Sequence, residues 1–246
     1  MARSLGADVQ LVTRLTPEYD RAPLADLTLR TFPAQHAPRF ANSYDAKGHR
    51  SQLLLHGGEP LSPAMLQCDG QIDAFILAPA YHEVSTWPSP CARVRGVSLQ
   101  GILRSADNEG RVVPRPNATE IALKFAHRGV IAFLSEEDTR DAESVAESFA
   151  ATPGAMAIVT RGYRGVVVFE HHARMEHAAV PANPTDPTGA GDCFATAYIV
   201  RLTETQDHAR AMRFALVAGA LAVENEGIAG IPTRVAIERR LEMVAA

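Results

Sequence analysis

Apolar residues fall in short runs along this chain, and the spacing within the runs switches between extended and helical signals. Ile72 to Ala78, Arg95 to Leu99 and Gly129 to Leu134 are near-continuous stretches rich in Val, Ile and Phe, separated by turn or helical segments, which predicts parallel strands buried on both faces. Asp141 to Phe149 places Ala142, Val145, Ala146 and Phe149 at helical spacing with acids between them, so an amphipathic helix is expected there, followed by a strand over Ala155 to Thr160. Arg161-Gly162-Tyr163-Arg164-Gly165 then breaks that strand from Val166 to His171, and a second turn leads to Met175 to Val180, the layout of a β-meander. Helices are expected from Gly189 to the end.

The front of the chain reads differently. Ser4-Leu5-Gly6-Ala7 looks like a helix stop and Val9 to Leu15 like a buried strand, so the pattern reads as a chain entering in mid-fold. Leu27 to Leu55 holds short extended runs broken by Pro33, Pro38, Asn42 and Lys47-Gly48, which predicts a small antiparallel sheet outside the main layer. No repeat, low-complexity tract or interdomain linker interrupts the pattern. One domain over 1–246 is expected, with 27–56 as a small β-appendage.

With 46% hydrophobic and 21% charged residues in 246, the chain has enough apolar material for one large core. Its net charge is -4 and its basic residues are scattered, so neither a nucleic-acid nor a membrane footprint is expected. Cys68, Cys91 and Cys193 form no CxxC pair, which fits a reducing compartment, and the N-terminus has no apolar leader run, so the protein reads as cytoplasmic. Lys47 and Lys124 are the only lysines, and neither follows a glycine-rich loop, which excludes a Walker A motif. Gly96-Val97-Ser98-Leu99-Gln100 lacks the glycine that a hydrolase nucleophile elbow needs, and Phe194 stands where a dinucleotide fingerprint needs a small residue. His171, His172, Glu176 and His177 flank the meander turn, so their side chains diverge and a solvated hairpin tip is expected rather than a metal cluster.

The chemistry concentrates in Asp186-Pro187-Thr188-Gly189-Ala190-Gly191-Asp192, followed by Phe194, Ala197, Tyr198 and Leu202 at helical spacing. A glycine-rich turn opening a helix lets the backbone N–H groups of Gly189, Ala190 and Gly191 approach an anion, and the helix N-terminus favours negative charge there. Asp192 in the first turn stands beside that cradle, placed to take a proton from an incoming hydroxyl. The plainer reading is a structural turn with Asp192 as a solvated first-turn acid.

The string resembles the C-terminal signature of the PfkB or ribokinase family, D-x-T-G-A-G-D-x-F, at Asp186, Thr188, Gly189, Ala190, Gly191, Asp192 and Phe194. The resemblance implies a three-layer α/β fold with a mostly parallel sheet and a β-lid. It implies an ATP-dependent kinase in which Asp192 is the catalytic base and Gly189, Ala190 and Gly191 form the anion hole. The acceptor would be a hydroxyl of a sugar or polyol, an inositol among them. A nucleoside or vitamin-like alcohol kinase and a non-catalytic ribokinase-like binding or regulatory protein are the alternatives. By the same resemblance Thr160, Gly162, Gly165, Asn225 and Gly227 would line the ATP site, and Asp186 and Thr188 would hold a monovalent cation such as K+. The lid over 27–56 would present Asn42, Tyr44 and Arg50 to the acceptor and provide a surface for a homodimer.

The chain departs from the family at two places. Ser135-Glu136-Glu137-Asp138 replaces the N-x-x-E motif that organises the water shell of Mg2+, so Ser135 and Asp138 are its counterparts, with a plain helix cap at Ser135 as the other reading. Ser98-Leu99-Gln100-Gly101-Ile102-Leu103-Arg104 resembles a D-x-Q-G-x-x-R variant of a subgroup that includes myo-inositol kinases. The family's first strand and glycine pair do not appear before Leu5, so an exposed sheet edge is expected.

Overall fold

In the computed structural model, residues 1–44, 50–68 and 70–245 are described, leaving aside the side chains of Tyr44, Arg50 and Ala245. Strand β1 (Gln10–Leu15) pairs in parallel with β2 (Thr28–Pro33), and β3 (Arg39–Tyr44) pairs antiparallel with β4 (Arg50–His56). The strand expected at Val9 to Leu15 therefore forms, but it stays out of the central sheet and buries only Leu15. The segment from Leu27 to Leu55 likewise divides between a parallel pair and a hairpin instead of forming one antiparallel sheet. Connection length accounts for this: residues 16–27 give the chain room to restart in the same direction, whereas only a short segment separates Tyr44 from Arg50.

Next come β5 (Ile72–Leu77), β6 (Ala92–Ser98), the short helix α1 (Gln100–Leu103), the hairpin β7 (Arg104–Ala106) with β8 (Val112–Pro114), and α2 (Ala118–Leu123). The chain continues through β9 (Val130–Ser135), α3 (Ala142–Ala150), β10 (Met156–Thr160), β11 (Val166–Glu170) and β12 (Ala173–His177). It ends in α4 (Ala190–Thr205), α5 (His208–Ala222) and α6 (Arg234–Ala245). The central sheet has the order β12-β11-β10-β9-β6-β5, parallel from β10 to β5 and antiparallel at β11 and β12, as the meander pattern predicts.

Successive side chains of a strand point to opposite faces, so each buried run supplies two cores. Val130, Ala132 and Leu134 of β9 join Val145 and Phe149 of α3 on one face, while Ile131 and Phe133 join Phe194, Tyr198 and Ile199 of α4 and Phe214 of α5 on the other. Those two faces make three layers. β12 forms a charged edge, and β5 is the opposite edge, with most of its side chains half-buried. The β3–β4 hairpin reaches the body through the β7–β8 hairpin, where Leu54 N–H donates to Gly110 O at 2.8 Å.

Among the described residues no helix is long and apolar enough to cross a membrane, and no group of His, Cys, Asp or Glu is arranged to hold a metal. His171 and His172 form the β11–β12 turn with positive φ, and Glu176 is paired with Arg161 and Arg174.

Candidate functional site

Helix α4 is aimed by its packing. Phe133 contacts Phe194 and Tyr198 edge to face at ring separations of 6.2 and 5.7 Å, and the bare Cα of Gly96 lets Ile199 approach β6, where an added Cβ would stand 2.9 Å from Ile199 Cδ1. The N-terminus of α4 is thereby held at the end of the sheet where the parallel strands finish, near the turn after β9. Gly189 caps the helix with φ 81°, a conformation that glycine adopts without strain, and no side chain caps it.

Of the three amides expected to face an anion, those of Gly189, Ala190 and Gly191, one is already engaged within the turn. Ala190 N–H donates to Pro187 O at 3.2 Å. Among the described residues the N–H groups of Gly189, Gly191 and Asp192 have no protein partner, so these three are open to an anion. Space is open as well: a Cβ built on Gly189 or Gly191 meets no atom within 4 Å. Because Gly191 has no positive φ, alanine fits the backbone there and raises helix propensity, yet its methyl enters the anion space. G191A is therefore expected to keep or raise the melting temperature while weakening the binding of an oxyanion such as sulfate or phosphate at this turn about tenfold, the loss of about one hydrogen bond. A melting curve and an anion titration on the same preparation check this.

Asp192 follows in the first turn, its residue exposed and its carboxylate without a hydrogen-bond or ion-pair partner among the described residues. Protein packed around it pushes the carboxyl above the ordinary carboxylate range, and the negative charge of Asp138 adds to that rise. Cys193 beside it is buried and its thiol is pushed up to about 11, which makes it a packing residue rather than a nucleophile.

Asp138 is 1% exposed and its two oxygens are committed, one to Arg104 Nη2 at 2.5 Å and the other to the Ser135 N–H at 2.7 Å. Burial drives this carboxyl upward, and Arg104 and the Ser135 amide pull it part of the way back. Ser135 ends β9 and its hydroxyl accepts from Glu137 N–H, but residues 136–140 form turns, so the helix-cap reading does not hold. A carboxylate committed in this way offers no ready contact to the water shell of Mg2+.

Asp186 folds its own turn. Its carboxylate accepts from Thr188 N–H at 2.9 Å and from Gly227 N–H at 3.1 Å, contacts that hold it below the ordinary carboxylate range, the Thr188 amide foremost. Val223 O accepts from the N–H groups of Thr185 and Asp186, so the loop containing Asn225 and Gly227 lies against the signature turn. A monovalent cation at Asp186 and Thr188 would therefore meet a carboxylate whose two oxygens each already accept from a backbone N–H.

A groove of about 460 Å3 is lined by Arg140, Arg161 and Arg164 together with Glu136, Asp141 and Glu143, and neither Thr160 nor Gly162 is among its lining residues. Gly165 is buried for a packing reason: with φ 88° its Cα meets the β12 backbone, and a Cβ would sit 2.0 Å from His177 O. The three arginines escaped sequence reading because nothing in their spacing marks a common surface before β9, β10 and α3 assemble. In the hairpin Asn42 Oδ1 accepts from Gln52 Nε2 at 2.9 Å, whereas the side chains of Tyr44 and Arg50 lie outside the described residues.

Residues 114–234 match the family described as pfkB family carbohydrate kinase. The matched segment spans 121 of the 246 residues; it holds the signature turn, Asp192, the 135–138 turn and the 223–227 loop, and leaves the β3–β4 hairpin outside. Ribokinase of Bacillus subtilis (strain 168) is 36% identical over 99 residues, a match spanning 40% of this chain and 33% of that enzyme's length. The fold extends further than the sequence match. A pyrophosphate-dependent kinase of the ribokinase family, solved with a pyrophosphate analogue and myo-inositol, superposes with a TM-score of 0.72 at 16% identity over 97% of this chain and 87% of its own. The nucleoside kinase of Methanocaldococcus jannaschii gives 0.71 at 16% identity, covering 98% and 83%. The architecture is that of the ribokinase family.

Proposed function

We propose that the chain is a ribokinase-family phosphotransferase that moves the terminal phosphoryl group of ATP to a hydroxyl of a sugar or polyol. The observation that carries this reading is the unpartnered Asp192 carboxylate in the first turn of α4, next to the open N–H groups of Gly189, Gly191 and Asp192. The hydroxyl oxygen attacks the γ-phosphorus, its proton passes to Asp192, and the bond from phosphorus to the β–γ bridging oxygen breaks to release ADP. The open amides take the charge gathering on the phosphoryl oxygens, which is most of what a protein contributes to this transfer. The groove lined by Arg140, Arg161 and Arg164, of which Arg161 is paired with Glu143 and Glu176 and Arg164 with Glu136, offers cationic side chains for the remaining phosphates of the donor.

A sugar or polyol acceptor agrees with the amides of Asn42 and Gln52 on the hairpin and with the myo-inositol bound by the pyrophosphate-dependent relative. A nucleoside acceptor is the second reading, from the likeness to the archaeal nucleoside kinase. The test is a panel of ribose, myo-inositol and inosine with ATP or pyrophosphate as donor, run on wild type and Asp192→Asn. Turnover of ribose or myo-inositol that the variant loses supports the proposal, whereas no turnover with any pair, or equal rates for both proteins, overturns it.

The base acts only as a carboxylate, and its pKa is raised, so acidification should remove activity early. We expect kcat/KM to fall with decreasing pH at a midpoint above the value of about 4 for a free aspartate. A rate profile at constant ionic strength measures that midpoint, and one at or below that value contradicts the assignment.

A further inference from the structure

Arg104 belongs to neither the signature turn nor the arginine groove, yet it joins three parts of the molecule. Its Nη2 donates to buried Asp138 at 2.5 Å, its Nη1 reaches Gln52 Oε1 on β4 at 3.4 Å, and the Gln100 amide, oriented so that its oxygen faces the guanidinium, accepts from both terminal nitrogens at 3.1 and 3.3 Å. The Arg104 side chain is only 10% exposed. Its backbone is pinned too. The Arg104 carbonyl contacts His82 Nε2 at 2.5 Å, His82 N–H donates to Gly101 O at 2.9 Å, and Gly101 packs so closely on the 79–80 backbone that a Cβ would stand 2.1 Å from Pro79 O.

A hydrogen-bonded line thus runs from Asn42 on β3 through Gln52 on β4 and Arg104 to Asp138, whose charge is felt by Asp192. The Asp138 end is short and dry. The Gln52 end is at the long limit of a hydrogen bond, so the hairpin is held by the weaker contact. We propose that Arg104 is a positioning residue that ties the β3–β4 hairpin to the 135–138 turn and thereby sets how an acceptor under the hairpin is presented to Asp192. This rests on the kinase reading for its catalytic consequence, though the tie itself is a property of the fold.

Lysine is the informative replacement, because it keeps a positive charge for Asp138 but has no planar fork to reach Gln52 and Gln100 together. In R104K we expect the KM for ribose or myo-inositol to rise about tenfold, the loss of one hydrogen bond, with the KM for ATP unchanged. Q52L should raise the acceptor KM in the same direction. The R104K/Q52L double variant should show no additional rise, since both changes remove one contact. Amide exchange of the ligand-free protein should quicken in 50–56 and 135–138 in R104K, and in 50–56 in Q52L. Equal rises in both KM values, additive effects, or hairpin exchange that matches wild type would overturn the inference. If wild type transfers phosphate to no acceptor, the kinase reading falls, and the exchange measurement alone decides whether Arg104 ties the two segments.

Discussion

Asp192→Asn is expected to lower the phosphoryl-transfer rate by roughly 10²–10⁴-fold, the usual contribution of a positioned general base. Asparagine keeps the size and shape of the side chain but accepts no proton. The variant should also fold about as well as wild type, because the carboxylate has no hydrogen bond or ion pair among the described residues to lose. Loss of rate without loss of stability separates a catalytic role from a structural one. The KM for ATP should change little, since the groove arginines and the open amides remain. A variant that keeps wild-type turnover would place the proton acceptor elsewhere.

Arg104→Met is expected to carry the largest cost in stability. It leaves the Asp138 carboxylate, 1% exposed, with only the Ser135 amide as partner, and breaking a buried pair from one side costs about 3–5 kcal/mol. For a chain of this size that corresponds to a melting temperature lower by roughly 10 °C. The sign of the pH dependence follows from Asp138. Its folded-state pKa is already above the unfolded value because burial outweighs Arg104, and removing Arg104 raises it further. A group with a raised folded pKa contributes its stability at low pH and loses it as pH rises through that pKa. The deficit of R104M should therefore be greatest near neutral pH and shrink on acidification. Thermal unfolding of both proteins across that range measures it, and a deficit independent of pH would mean that the pair is not what the arginine supports.

The apolar runs at 129–134 and 155–160 were legible as strands because a strand buried on both faces needs apolar residues at nearly every position, whereas 72–78 reads the same way yet forms the edge strand β5, with only Leu77 buried. The helix over 142–150 was legible for the same kind of reason, with Asp141 as its cap. The signature turn stood out through glycines and an aspartate at fixed spacing, and α4 begins where that spacing places it. Pairing partners at the front were not legible. Val12 and Leu29 read as strand residues in either arrangement, and only the path of the connection decides between parallel and antiparallel pairing.

Local sequence thus determined which segments are strands and helices, and that an acid stands at a glycine-rich helix start, because propensity and periodicity act over a few residues. Tertiary structure alone decided which amides of that turn stay open, that Asp138 is spent on Arg104, and that Arg140, Arg161 and Arg164 share one groove. These depend on contacts between residues distant in the chain, Arg104 with Asp138 and Gln52 among them, and no local pattern encodes the burial that makes each contact strong.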